Sequence, residues 1–212
     1  MSKCSVCPVT ESLQFCSRCR LTLYCSSACQ TADWKTHKKT CKHIDYQDEE
    51  GKTALIHACY AENLEQVQHL IEHGANLNLQ QLSGHTALTV ACLKGCKKIA
   101  FLLIDKGAQL NIQSNKGYTA LICAVVNRQI EITIRLIEMG ATIDIPNNHK
   151  VTPLMLASCA GHSELVHLLV EKGANLHLRN ETGKTALMMA STEGHADIAQ
   201  FLHEKGATED VD

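Results

Sequence analysis

The chain has 212 residues, a formal net charge of −2 and a mean hydropathy of −0.09. That length holds one large domain or two small ones, and the longest apolar runs fall far short of a membrane span. Two features stand out: aromatic residues are scarce at 4%, which suits a helical repeat, and there are 12 cysteines and 12 histidines.

The first stretch with a pattern is Cys4 to Cys41. Its spacing is Cys4-x2-Cys7-x8-Cys16-x2-Cys19-x5-Cys25-x3-Cys29-x7-His37-x3-Cys41. These are four pairs of soft donors. Zinc takes four thiolate or imidazole ligands in a tetrahedron, so eight donors make two closed sites of structural type, with no position left for catalytic water. A disulfide framework is the alternative, but seven cysteines cannot all pair. Met1-Ser2-Lys3 leads directly to a ligand without a signal-peptide pattern. Thiols kept for zinc point to a reducing compartment, cytosol or nucleus. Residues 1–45 carry seven Lys/Arg against three Asp/Glu, and seven thiolates on two Zn²⁺ bring that +4 down to about +1. The remainder holds 13 basic and 19 acidic residues. A weakly charged finger on an acidic body argues against a nucleic-acid partner, which needs a basic stripe to displace counterions.

The ligand spacing resembles the MYND zinc finger, as do the segments Tyr24-Cys25-Ser26-Ser27-Ala28-Cys29-Gln30 and Asp33-Trp34-Lys35-x-His37-Lys38. The resemblance implies an interleaved pair of sites: Cys4, Cys7, Cys25 and Cys29 on one zinc, and Cys16, Cys19, His37 and Cys41 on the other. It also implies a shallow groove for short proline-rich peptides at Ser17, Gln30 and Trp34. Trp34, the single tryptophan, has packing inside the finger as its competing role. So small a unit has little core beyond Phe15, Leu21, Leu23 and Tyr24, and the metal must supply its stability. Ser26 or Ser27 can cap a short helix through Cys29, and His37 and Cys41, four apart, share one helix face. The finger is placed at residues 1–42. Residues 43–50 are polar and read as a short linker packed in part by Ile44 and Tyr46.

Residues 51–212 repeat with a period of 33. Thr53, Thr86, Thr119, Thr152 and Thr185 obey it, as do Leu55, Leu88, Leu121, Leu154 and Leu187, and the Gly-Ala pairs that begin at Gly74, Gly107, Gly140, Gly173 and Gly206. Such a period marks a solenoid whose units must stack to bury their apolar faces. The units resemble ankyrin repeats, which implies a mainly α fold: an α-solenoid of five helix pairs with β-hairpin fingers. In each unit a threonine caps a short first helix that is apolar on one side, and Pro153 fits the first helical turn. A second helix runs from about Asn63 to His73, with Leu64, Val67, Leu70 and Ile71 on one face. Glycine then ends it in a left-handed conformation. His203 replaces the apolar Ile71, Ile104, Ile137 and Val170 in the last repeat, as a solvated end requires. The first repeat has no complete hairpin ahead of it. The histidine of the common Thr-Pro-Leu-His turn is absent throughout, at a cost of about 1 kcal/mol or less for each lost tie.

Cys59 and Cys92 read as small core residues, and His162 and His195, each after a glycine, as structural. No catalytic triad, paired-carboxylate set or phosphate loop is present. The self-alignment places Leu82, Leu93, Tyr118, Val126, Val151 and Cys159 on finger tips and first-helix ends of the middle repeats. They form an expected apolar strip for partner proteins. Burial of Leu93, Val126 and Cys159 between repeats is the alternative. The expectation is a monomeric, non-enzymatic adaptor, cytoplasmic or nuclear, with no membrane contact. The rivals are a relative of MYND-containing lysine methyltransferases, for which no SET domain fits beside the repeats, and a transcriptional co-regulator.

Overall fold

The structure, a computed structural model, describes residues 44–208 and the backbone of residues 14–15 and 23–24. The eight zinc ligands and the groove residues Ser17, Gln30 and Trp34 lie outside the described residues, as do the short finger helices. Within the finger, β1 (Gln14–Phe15) pairs antiparallel with β2 (Leu23–Tyr24), Gln14 opposite Tyr24 and Phe15 opposite Leu23.

The described part of the array is five helix pairs: α1 (Ala54–Tyr60) and α2 (Leu64–Glu72), α3 (Ala87–Lys94) and α4 (Lys97–Asp105), α5 (Ala120–Val126) and α6 (Ile130–Glu138), α7 (Pro153–Cys159) and α8 (Ser163–Glu171), α9 (Ala186–Thr192) and α10 (Ala196–Glu204). The inner helices α1, α3, α5, α7 and α9 stack on one another, and each is covered by its own outer helix. The central inner helices α3 and α5 are therefore not apolar on one side only, whereas the terminal α9 buries just Ala186, Leu187 and Ala190. In α5 all six residues from Ala120 to Val125 are buried, because neighbouring repeats flank it on both sides. The outer helices keep one wet face and bury a single stripe, such as Ile132, Thr133 and Leu136 in α6.

Each inner helix starts at its threonine. The hydroxyls of Thr53, Thr86, Thr119, Thr152 and Thr185 accept from the backbone N–H three residues on, at 3.2 to 3.3 Å. Each outer helix ends in a Schellman motif, which explains the repeated Gly-Ala pair. The glycine takes φ between 80° and 95°, and the following alanine, buried, sends its N–H back to the last turn, as Ala75 does to Leu70 O at 3.0 Å.

Two expectations about the fingers change. Among the described residues the fingers are hydrogen-bonded turns, without assigned strands. Residues 44–50 are not a tether: they build the finger of the first repeat. Asp48 N–H donates to Lys52 O at 3.1 Å, the bond that Gln81, Ser114, Asn147 and Asn180 repeat with His85, Tyr118, Val151 and Lys184. Ile44 is 4% exposed and occupies the position of Leu77, Leu110, Ile143 and Leu176. The apolar period was present in Ile44 and Tyr46 and was masked by the acidic run that follows.

The absent histidine is replaced by ties between fingers. Gln47, Gln80 and Gln113 each bridge their own turn and the next finger, donating to Gln80 O, Gln113 O and Pro146 O at 2.8 to 2.9 Å. The carboxylate or amide oxygens of Asp45, Asn78, Asn111 and Asp144 accept from the backbone of Asn76, Gln109, Thr142 and Asn175. At the tips, the N–H groups of Leu82, Asn115, Asn148 and Glu181 donate to the preceding finger. Glycine permits the close approach: at Gly84, φ is +82° and a Cβ would lie 2.5 Å from Asn115 N.

Thr119→Ala should cost about 1 kcal/mol and lower the melting temperature by roughly 2–4 °C. Gly84→Ala should cost more, because it adds left-handed strain to a backbone clash. Equal losses in the two melts would contradict this account of the finger stack.

The histidines set the pH response. Burial, then nearby Lys116, lowers the pKa of His85. Burial and Arg128 do the same to His162, and burial and His73 to His69. The folded state thus favours neutral rings, while the unfolded chain protonates below about pH 6.5. Their contribution is present above that pH and is lost as pH falls toward the lower folded values. The helical circular-dichroism melt should drop on acidification, and His85→Gln with His162→Gln should flatten the dependence between about pH 7 and 5. An unchanged slope would contradict it.

Candidate interaction surface

The front of the array is built from two residue positions per repeat. In repeat one, Lys52 Nζ lies 5.1 Å from the Tyr60 ring centre. In repeat five, Lys184 Nζ is 3.4 Å from Thr192 Oγ1. The position before each inner helix therefore meets the position at its end. By the 33-residue period the equivalent positions in repeats two to four are His85 and Leu93, Tyr118 and Val126, and Val151 and Cys159. Neighbouring repeats join too: Gln81 Nε2 donates to Tyr60 Oη at 2.9 Å, and Cys159 feels the charges of both Glu193 and Lys184.

This places Leu93, Tyr118, Val126, Val151 and Cys159 along one course over repeats two to four. They are not equally open. Val126 is 43% exposed, whereas Leu93, Tyr118 and Val151 are half-buried against the core and Cys159 is half-buried. Leu82 stands at a finger tip at 71% exposure, in the row Glu49, Leu82, Asn115, Asn148 and Glu181. The surface is thus a shallow apolar course with one projecting leucine, and its half-buried members also serve packing between repeats. Sequence reasoning missed the finger ladder, although Gln47, Gln80 and Gln113 carry the 33-residue signal.

The reactive side chains of the array have structural surroundings. Burial pushes the thiols of Cys59 and Cys123 up to about 12 and Cys92 well above its ordinary value. Protonated and enclosed, they are poor nucleophiles. His195 Nε2 lies 3.1 Å from Cys159 O, a tie between repeats, and the His167 ring stacks on Phe201 at 3.8 Å. His57 pairs with Asp48 at 2.6 Å and His149 with Glu181 at 3.0 Å, both at the surface. Among the described residues no group of three or more His, Cys, Asp or Glu could hold a metal, and no helix is long and apolar enough to cross a membrane. A hollow of about 500 Å³ beside Leu110, Ile112 and Met139 contains no titratable side chain.

Comparison with known proteins agrees with this division. Residues 4–41 match the family model of the MYND finger. That module implies zinc, and the seven thiols and one imidazole of this segment are the soft donors zinc selects. The curated relatives match over the finger region. Histone-lysine N-methyltransferase ASHR1 of Arabidopsis thaliana is 39% identical over 51 residues, 24% of this chain and 11% of its own length. Ubiquitin carboxyl-terminal hydrolase 19 of the same plant is 52% identical over 42 residues, 19% and 6%. SET domain-containing protein 14 of Caenorhabditis elegans is 47% identical over 55 residues, 26% and 13%. The chain thus spans only about a tenth of the relatives it matches. The family model of ankyrin repeats, three copies long, matches in overlapping registers at 24–114, 63–147, 102–180 and 143–212. With the 33-residue period, the capped helix pairs and the stacked fingers, this match shows that the chain belongs to the ankyrin-repeat family and carries a MYND finger ahead of the array.

Proposed function

We propose that the chain is a non-catalytic adaptor that joins two protein partners, one on the finger and one on the repeat front. The observation that carries this reading is the apolar course over repeats two to four, lined by Leu93, Tyr118, Val126, Val151 and Cys159 with Leu82 projecting beside it. Contiguous apolar surface of this kind marks interaction sites. The finger supports it differently. Relatives that share the finger are named as a methyltransferase and a ubiquitin hydrolase, so the finger travels among unrelated activities and is itself a module. The methyltransferase reading has only this finger in its favour. Attachment to chromatin through a partner, as in a co-regulator, is one form of the same adaptor role.

In this reading the finger holds two structural zinc ions, Cys4, Cys7, Cys25 and Cys29 on one and Cys16, Cys19, His37 and Cys41 on the other. Ser17, Gln30 and Trp34 form its groove for proline-rich peptides, with Trp34 as an apolar wall and Gln30 bonding the peptide backbone. The protein acts as a monomer in cytosol or nucleus, without nucleic acid or membrane as partner.

Elemental analysis should give two zinc ions per chain, and Cys16→Ser should release metal while the helical signal of the array persists. One ion, or disulfides found by mass spectrometry, contradicts the ligand assignment. For the two surfaces, the wild type is compared in capture from native lysate with Trp34→Ala and with Leu82→Ala/Tyr118→Ala. The first should lose proline-rich partners with zinc retained. The second should weaken a separate partner at least tenfold, about 1.4 kcal/mol, with little change in melting. If zinc leaves with Trp34, or the double variant melts far lower and binds normally when folded, these side chains are structural.

A further inference from the structure

The front positions of the middle repeats carry positive charge and no acid of their own. Its finger and inner-helix-end positions are residues 81–85, 93–95, 114–118, 126–128, 147–151 and 159–161. The charged residues there are Lys94, Lys116, Arg128 and Lys150, with no Asp or Glu. All four are exposed, and none enters an ion pair among the described residues. This segregation occurs in a body with 13 Lys/Arg against 19 Asp/Glu after residue 45. On the outer helices two cations do find partners: Lys97 pairs with Glu131 at 2.8 Å and Arg135 with Asp105 at 2.6 Å. The flanking repeats bring acids to the front at Asp48, Glu49, Glu50, Glu62, Glu181 and Glu193, and Glu181 reaches His149 at 3.0 Å.

Backbone geometry adds an independent observation. Three non-glycine residues among those described have positive φ: Glu62, Arg128 and Lys150. Arg128 has φ 57° where repeats two, four and five place Gly95, Gly161 and Gly194, and repeat one places Glu62, also at φ 57°. Lys150 has φ 56° where the other four repeats place Gly51, Gly84, Gly117 and Gly183. Left-handed backbone is unfavourable for a residue with a Cβ, and such strain gathers at functional positions. Two of the four front cations thus occupy places where glycine would fit the backbone better.

The cations lie on both sides of the apolar course. Lys116 and Lys150 are at finger tips, Lys94 and Arg128 at the inner-helix ends. Lys116 is near enough to His85, and Arg128 to His162, to disfavour charge on those rings. We infer that the front of repeats two to four binds an acidic protein segment that carries apolar side chains and lies extended across the three repeats. This rests on the adaptor reading of that face and adds the chemistry of its partner. Packed helices are about 8–10 Å apart and an extended chain advances roughly 3.3 Å per residue, so about six residues cover the two steps between the three repeats. Acidic side chains meet the four cations, and apolar ones meet Tyr118, Val126 and Leu93. Nucleic acid fits less well. Its phosphates would pass Glu49, Glu50 and Glu181 at the two ends, and its charge would face an apolar centre.

The test is selection from a random peptide-display library by the full zinc-loaded chain, followed by affinity measurement on synthetic peptides. Peptides with net negative charge and apolar residues should be enriched. The decisive variant is Arg128→Gly/Lys150→Gly, which removes two charges and relieves two strained positions. It should melt at or above the wild-type temperature and bind the acidic peptides at least tenfold more weakly. Lys116→Glu should weaken them further. Enriched peptides that are neutral or basic and respond to Tyr118→Ala but not to the charge variants would overturn the acidic partner and leave the docking face standing. Peptides that respond only to Trp34→Ala, or no enrichment, would overturn the acidic partner and the docking face together. A single-stranded oligonucleotide that binds more tightly than any peptide and loses affinity in the same variants would overturn the inference in favour of nucleic acid.

Discussion

The structure depends on the hydrogen bonds that tie each finger to the one before it. A single 33-residue unit has an apolar inner helix that it cannot cover alone. Stacking the helices solves that burial problem, but apolar contact is tolerant of sliding and rotation. The finger bonds are directional: Leu82, Asn115, Asn148 and Glu181 donate from the backbone, and Asn115 and Asn148 add side-chain amides at 2.6 and 2.9 Å. They recur every 33 residues and so fix the register between repeats. The ladder begins at Asp45 and Gln47, so residues 44–50 belong to the array as much as any later finger does.

The front surface is a consequence of that register. Tyr118 and Val126 come from the two ends of one inner helix, and Cys159 and Lys184 from adjacent repeats. Only a fixed finger position brings them into one course. Its half-buried members are held in place by the same packing that stabilises the stack. A partner would thus meet side chains already ordered, which lowers the conformational entropy lost on binding. The left-handed residues Glu62, Arg128 and Lys150 run against local backbone preference within an otherwise regular array. Disagreement between local preference and global order is expected at sites kept for function.

Much of this was legible in the sequence because repetition multiplies weak signals. One threonine before an apolar run is a modest cap signal; five at a constant interval leave little freedom. The Gly-Ala pairs encoded a complete helix-ending motif, glycine for the positive φ and alanine for the small buried site after it. The first finger was not legible because Asp48, Glu49 and Glu50 resemble a solvated linker, and what marks them as a turn is pairing with the second finger. The degree of burial of Leu93, Tyr118 and Val151 was not legible either. It depends on the rotation of each inner helix between its neighbours, a tertiary quantity. The zinc ligands are legible from donor chemistry and spacing, with their pairing implied by the resemblance to the finger family.

The central claim is that the finger ladder holds the repeats in register as one stack. It is tested most directly by amide hydrogen exchange resolved at single residues. The N–H groups of Leu82, Asn115, Asn148 and Glu181 lie at exposed tips, where an unbonded amide exchanges freely. This account predicts that they exchange slowly, at rates approaching those of the buried inner helices, because they open only when the stack opens. Exchange of these four amides at the rate of an unprotected loop, with the inner helices still protected, would show that the fingers are not tied together and would contradict it.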